Sequence, residues 1–196
     1  MLIRNQNDTE LELVLFKDNY NNKELRKIYL DWLNDLSITR LSASSKLYTA
    51  NKTELFIEDS FKRFMKDDCR AFFIKDALKN KFIGTVKLEH INFSNRLAMD
   101  GIMIGDKNYH GKKIAFKTYQ ILLKYAFTEL KLYKIFGGCN VNNIPMIKIF
   151  TKIGYKQEGC FRNSDFIDGN YSDHLYFGIF KDEFINKNNI NLEIVN

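Results

Sequence analysis

Between Asp100 and Tyr155 the chain holds an apolar run broken by glycine, a Gly/Lys turn, a long stretch of helical periodicity and an Asn-Pro turn. Asp100-Gly101-Ile102-Met103-Ile104-Gly105 is followed by His110-Gly111-Lys112-Lys113-Ile114-Ala115, and Asn143-Ile144-Pro145-Met146 opens a later helix. Glycine inside a strand marks a bulge or a close backbone approach, so Gly101 and Gly105 let this strand splay and offer N–H and C=O groups to a ligand. The next turn leads into a helix N-terminus. Four N–H groups there lack intrahelical partners and the macrodipole is positive, which favours phosphate. Lys112 and Lys113 add screened positive charge. On spacing alone, a βα turn with two solvated lysines is the simpler reading.

The elements that must position these residues follow from periodicity. Leu11 to Phe16 reads as a strand, and residues 22–33 place Leu25, Ile28, Tyr29 and Trp32 at helical spacing. Asn51-Lys52-Thr53-Glu54 has the form of a capping box, and its helix puts Ile57, Phe61, Phe64 and Met65 on one face. Ser37 to Ala50 is polar and irregular, placed to shape a substrate site. Ala71–Ile74, Phe82–Glu89 and Arg96–Ile104 read as a meander, with Asn92-Phe93-Ser94-Asn95 as its last turn. A helix over 113–130 buries Ala115, Tyr119, Leu122, Ala126 and Leu130, and a strand over 133–139 follows. A helix over 145–153 stops at Gly154. Asp168-Gly169 joins 155–167 and 171–180 as a hairpin. Without repeats or linkers, residues 1–196 are expected to form one α+β domain with a mixed sheet.

Composition narrows the partners. At this length a single domain buries roughly 70% of the unfolded surface, and 45% hydrophobic content suits a globular core. The net charge of +6 is scattered rather than blocked, without the aromatic–basic interleaving of an RNA-binding strand, so no nucleic acid is expected. A basic surplus also suits small anionic ligands. Cys69, Cys139 and Cys160 are odd in number and far apart, which argues against disulfides and a zinc site and for a reduced, cytoplasmic protein. The N-terminus has no apolar leader region, and no run of roughly eighteen apolar residues predicts a membrane span.

From Ile83 to Phe180 the chain resembles the GNAT superfamily of acyl-CoA N-acyltransferases, and within it the ribosomal-protein-acetylase-like branch. Ala98 to Gly105 is similar to the branch's Ala-Glu-Ile-Gly-x-x-Ile/Val-Gly strand, and His110 to Ala115 to its Arg-Gly-x-Gly-x-Ala turn. Asn143-x-x-Met146, Lys152-Ile153-Gly154-Tyr155 and Glu158-Gly159 resemble Asn-x-x-Ser, Lys-x-Gly-Phe and Glu-Gly. The resemblance implies a mixed, mostly antiparallel sheet flanked by helices, with a V-shaped splay between the fourth and fifth strands, here Asp100–Ile104 and Tyr133–Cys139. Acetyl-CoA, the acyl donor, would lie in the V without a metal. Backbone of Met103 and Ile104 would meet pantetheine. The turn residues His110 and Gly111, with the amides of Lys112, Lys113, Ile114, Ala115 and Phe116, would hold pyrophosphate, and Asn143 the pantetheine arm. Three positions depart from the pattern: His110 replaces Arg, Lys113 replaces Gly and Met99 replaces the strand Glu.

N-acylation needs a neutral amine, an oxyanion partner and a proton for the thiolate. With Met99 at the Glu position, Asp100 ranks first as base, provided a bulge at Gly101 turns it into the cleft. Glu89 ranks second and His90 third. Phe150 and Met146 stand where relatives have Tyr and Ser, so Tyr155, Tyr171 or a water is left to protonate the thiolate. For the His174 neighbourhood a structural or rim role is expected, with an Arg162–Asp173 ion pair implied by the resemblance. Trp32-Leu33-Asn34-Asp35 resembles acetylases of nucleotide-linked amino sugars, which makes such a sugar the first acceptor expected. A protein N-terminus or small amine is the alternative, and a non-catalytic acyl-CoA-binding module the third reading. Relatives also form homodimers.

Overall fold

The computed structural model describes residues 1–19, 21–41 and 54–195, with the side chains of 54–57 excepted. The expected capping box at 51–54, the packing of Ile57 and most of the polar segment 37–50 lie outside the described residues. Among the described residues nine strands form one sheet: β1 (Leu2–Asn5), β2 (Asp8–Leu15), β3 (Arg70–Asp76), β4 (Lys81–Asn92), β5 (Leu97–Ile104), β6 (Lys134–Asn140), β7 (Lys156–Ile167), β8 (Asn170–Phe180) and β9 (Leu192–Val195). Their order is β7-β8-β6-β5-β4-β3-β2-β1-β9, and β5 with β6 is the parallel neighbour pair.

The helices are α1 (Lys23–Asn34), α2 (Leu36–Thr39), α3 (Glu54–Phe64), α4 (Ile114–Thr128), α5 (Ile144–Ile153) and α6 (Lys181–Lys187). Side chains of α4, α5 and α6, among them Leu122, Phe127, Phe150 and Phe184, share one core with Ile135, Phe177 and Ile179 of the sheet. On the other face, α1 and α3 pack Leu25, Tyr29, Trp32, Phe61 and Phe64 on Phe16 and Phe73. Local chemistry sets the helix ends. The Asn22 side chain accepts from the Leu25 N–H at the start of α1, and Asn143 accepts from Met146 at the start of α5, where Pro145 needs no donor. Gly154 ends α5 at φ 122°.

Where β5 meets β6 the sheet opens. Their pairing covers only Leu97–Met99 with Lys134–Phe136. Beyond it, β5 stays on β4 as far as Ile104 and β6 stays on β8 as far as Asn140. The two strands thus follow different neighbours and part, giving the expected splay; these are the fourth and fifth strands of the sequence reading, which lacked β1. At the vertex lies Asp100, 7% exposed. Its Oδ1 accepts from the Tyr119 hydroxyl of α4 at 2.9 Å and its Oδ2 from the Tyr155 hydroxyl in a short bond. Gly137 of β6 makes the space, since a Cβ there would overlap the carboxylate. Burial pushes the Asp100 carboxyl up from an ordinary 3.8 to about 7, against the pull of the Tyr155 and Tyr119 hydroxyls. Gly105, just past β5, lies under the Trp32 indole, which a Cβ would overlap.

Two variants test this framework. Because the folded protein holds the Asp100 proton to higher pH than the unfolded chain, the associated stability is complete below pH 3.8 and is lost as pH rises through about 7. In thermal melts across that window, Asp100→Asn should flatten a loss of up to about 4 kcal/mol; an unchanged slope would show that the carboxyl titrates normally. Gly105→Ala should cost about 1–3 kcal/mol by pushing Trp32 off its seat, and a neutral result in denaturant titration would contradict that packing.

Candidate functional site

The free edges of the V have a definite polarity. Gly105 N–H bonds the Ile83 carbonyl across the register at 2.9 Å. Alternation along an antiparallel pair then makes Thr85–Met103 the next hydrogen-bonded pair. Ile102 and Ile104 therefore turn their N–H and C=O groups toward the splay. Met103, expected to meet pantetheine, spends its backbone groups on β4, whereas those of Ile102 and Ile104 face the splay. His110 Nε2 donates to the Ile104 carbonyl at 2.9 Å, so this exposed imidazole ties the turn to the strand.

The turn keeps a glycine's shape without the glycine. Lys113 stands at φ 62°, ψ 11° as the N-cap of α4, and Gly111 at φ 74°. No side chain caps this helix, and its first backbone bond runs from Lys117 N–H to the Lys113 carbonyl at 3.0 Å. The N–H groups of Ile114, Ala115 and Phe116 are thus without intrahelical acceptors. Lys112 lies over the Tyr109 ring, and Lys152 of α5 lies over Phe116 at 4.6 Å. Lys152 escaped the sequence reading of charge, because only the tertiary fold brings it to this turn. The Asn143 oxygen is used in capping α5, which leaves its amide nitrogen as the group facing outward from that cap.

The expected acid–base residues separate onto two faces. Asp100 pairs with Leu88 and Gly101 with Lys87 without a shift; the bulge falls between Glu89 and Asn92 instead. Asp100 therefore faces α4, held by tyrosines rather than by the lysine or arginine expected of a buried carboxylate. Tyr155, 4% exposed, has its only hydroxyl proton committed to Asp100. Glu89 stands directly opposite Met99, so the two share the face covered elsewhere by α1 and α3. It is buried yet ion-paired, with Lys87 at 2.5 Å and Arg63 at 3.3 Å. His90, carried by the bulge at φ 53°, is exposed and joins neither group. Tyr171 is 68% exposed beside the hairpin tip.

A second polar cluster sits on the Met99 face. His174 Nδ1 lies 2.8 Å from Asp165 Oδ2, which also accepts from Asn140 Nδ2 at 2.9 Å. The sequence pattern gave His174 a structural or rim role; it did not reveal Asp165, which the β7 irregularity brings under the imidazole. Asp173 accepts from the Asn163 N–H and contacts Cys160, in place of the implied pair with Arg162. Cys139 is buried and Cys160 is exposed. Among the described residues no three or more His, Cys, Asp or Glu side chains gather as a metal site, and no helix is long and apolar enough to cross a membrane.

Comparison with known proteins agrees with this geometry. Residues 15–156 match the model of the acetyltransferase (GNAT) domain. The chain is 33% identical over 135 residues to a probable N-acetyltransferase, YjcK, of Bacillus subtilis, covering 67% of this chain and 73% of that one. It is 31% identical over 132 residues to the spermidine N(1)-acetyltransferase of Vibrio cholerae, covering 67% and 75%. A crystal structure of spermidine N-acetyltransferase from Vibrio cholerae with CoA and spermine superposes with TM-score 0.78 over 91% of this chain and 99% of that one; at 23% identity it speaks for the fold. The parted strands, the uncapped helix and the matched residues lead to one conclusion: this chain belongs to the GNAT acetyltransferase family and is an acetyl-CoA-dependent N-acetyltransferase.

Proposed function

We propose that this enzyme acetylates a primary amino group of a small, polyamine-like acceptor, and that residues 1–196 act as one catalytic domain of the ribosomal-protein-acetylase-like branch. The observation that carries the reading is the placement of buried Glu89 on the Met99 face, level with the vertex of the V. Glu89 is paired there with Lys87 and with the exposed Arg63, whose place an ammonium-bearing acceptor would take, and the relatives include spermidine enzymes. The amino-sugar reading loses its sequence support. Trp32 covers Gly105, while Asp35 caps α2 and pairs with Lys107 at 2.8 Å, so this segment is occupied with packing.

The residues divide the work. Ile102 and Ile104 offer backbone partners to the pantetheine arm of acetyl-CoA and a donor for charge developing on the thioester oxygen. The free amides of Ile114, Ala115 and Phe116, with Lys112, Lys113 and Lys152 around them, suit its pyrophosphate. Asn143 offers its amide nitrogen to the same arm, and His110 and Gly111 shape the turn. The amine lone pair forms the C–N bond as the C–S bond breaks; the amine loses a proton and the thiolate gains one. Asp100 has both oxygens bonded and Tyr155 has no free proton, so they support the vertex, and His90 has no part.

Thiol release from acetyl-CoA, measured with spermidine, N-terminal peptides and amino-sugar nucleotides, separates the acceptors. Spermidine should be turned over, and Glu89→Gln should raise its KM about tenfold with little change in kcat; turnover of peptides or sugar nucleotides alone would overturn the acceptor reading. For the turn, calorimetry with CoA should find Lys113→Gly close to the parent and Lys113→Val weaker by about tenfold, ~1.4 kcal/mol. Equal affinities would mean that the left-handed residue does not shape the cradle.

A further inference from the structure

His174 is 8% exposed, and its two nitrogens have different surroundings. Nδ1 is 2.8 Å from Asp165 Oδ2, a carboxylate itself 5% exposed. Asn140 Nδ2 bridges that same oxygen and Ser172 Oγ at 2.9 and 2.7 Å, which locks the carboxylate in place. An acceptor carboxylate fixes the proton on Nδ1 and leaves the lone pair on Nε2. Nε2 has no partner among the described residues and is not among the sealed unpaired atoms, so it meets solvent. It sits over the α-carbon of Gly138, where a Cβ would come within 2.6 Å of it.

Gly138 places that lone pair. Met99 and Phe136 pair at the vertex and share a face, and Gly138, two residues further along β6, lies on the same face where the strands have parted. Glu89 shares it from the other arm, opposite Met99. The imidazole therefore stands beside the open part of the V on the acceptor face, across from Glu89. The second ring nitrogen is left bare over Gly138, on the face of the sheet where the strands have parted. Glu89 is engaged by Lys87 and Arg63. Among the described residues about the ring, Asp165 of β7 and the Tyr176 phenol of β8, whose ring centroid is 5.0 Å from that of His174, are titratable, whereas Gly138 and Asn140 of β6 are not.

We propose that His174, oriented by Asp165, is the general base that takes the proton of the acceptor amine in this enzyme. The proton passes to Nε2, directly or through one water, as the nitrogen lone pair forms the C–N bond and the C–S electrons leave on sulfur. The resulting imidazolium then returns a proton to the thiolate or to solvent. Asp165 is a positioning residue: it holds the tautomer and stabilises the imidazolium. This inference rests on the acetyltransferase reading of the V, and not on which amine is accepted.

The test is the pH dependence of kcat/KM with whichever amine of the panel is turned over. His174→Gln should lower kcat/KM by about 10²–10³-fold and remove the acidic limb of the profile, with CoA affinity and melting temperature kept. Asp165→Asn should lower it less and displace the limb. Activity within about threefold of the parent, with the limb intact, would overturn the proposal. If the variants do not fold, or no amine is accepted, nitrogen NMR of the unaltered protein decides: a proton on Nδ1 with Nε2 bare supports the base, and a proton on Nε2 overturns it. A change of preferred amine moves the acceptor reading alone, because the ratio between His174→Gln and parent is taken on the same substrate.

Discussion

A carboxylate buried without a cation is the constraint on which the cleft depends. Asp100 is bonded by hydroxyls from α4 and from the residue that ends the α5 turn, while its own strand runs along β4 and its volume occupies the space over Gly137 of β6. Removing one acceptor from such a group leaves a buried donor unsatisfied, worth about 1–3 kcal/mol. The cluster therefore fixes the distance between β5, β6 and the helices at the point where the strands part. Phe150 reinforces it, packing on Tyr155 with centroids 4.8 Å apart and on Tyr119 at 5.9 Å. Phe150 thus gives this chain an apolar brace for its own polar vertex.

From that vertex the two faces acquire different chemistry. Toward α4 the side chains about the vertex are aromatic and aliphatic, and the Asp100 carboxyl is hydrogen-bonded into place. Toward the Met99 face lie an ion-paired glutamate, a glycine and an imidazole held by a carboxylate. The distinction follows from the two-residue period of a strand: Met99 and Asp100 cannot serve the same side while the register between them is regular, and it is regular.

Much of this was legible in the sequence. Periodicity and capping residues found α1, α4, α5 and the strands from β3 to β8, because each is long and carries its own stop signal. The four-residue strands β1 and β9 were missed, since pairs such as Leu2 with Val195 are set by chain ends meeting, not by local pattern. The site was legible where it is made of backbone: the splay, the turn and the uncapped helix. It was illegible where side chains from distant segments converge. Nothing local couples Asp165 to His174, Lys152 to the turn at Lys113, or Arg63 to Glu89. The expected bulge at Gly101 illustrates the limit, for the irregularity that breaks the β4–β5 register lies past Glu89 and sends His90 outward.

The lysine in a glycine's conformation is the sharpest departure, and magnitudes suggest why it is tolerated. Holding an L-residue left-handed costs about 1–2 kcal/mol. An ammonium about 6 Å from a doubly charged diphosphate gains, even in water, about 1.4 kcal/mol by Coulomb's law. The two terms nearly cancel, so exchanging Gly for Lys at position 113 need not weaken a phosphate cradle. It changes its character instead. A glycine turn binds through backbone geometry alone, which salt barely affects, whereas Lys112, Lys113 and Lys152 make part of the attraction electrostatic and therefore screened by salt. In a chain of net charge +6, these lysines and the carboxylate of Glu89 must keep their fields apart. The sheet does so, since the cradle lies at the mouth of the V and Glu89 at its vertex.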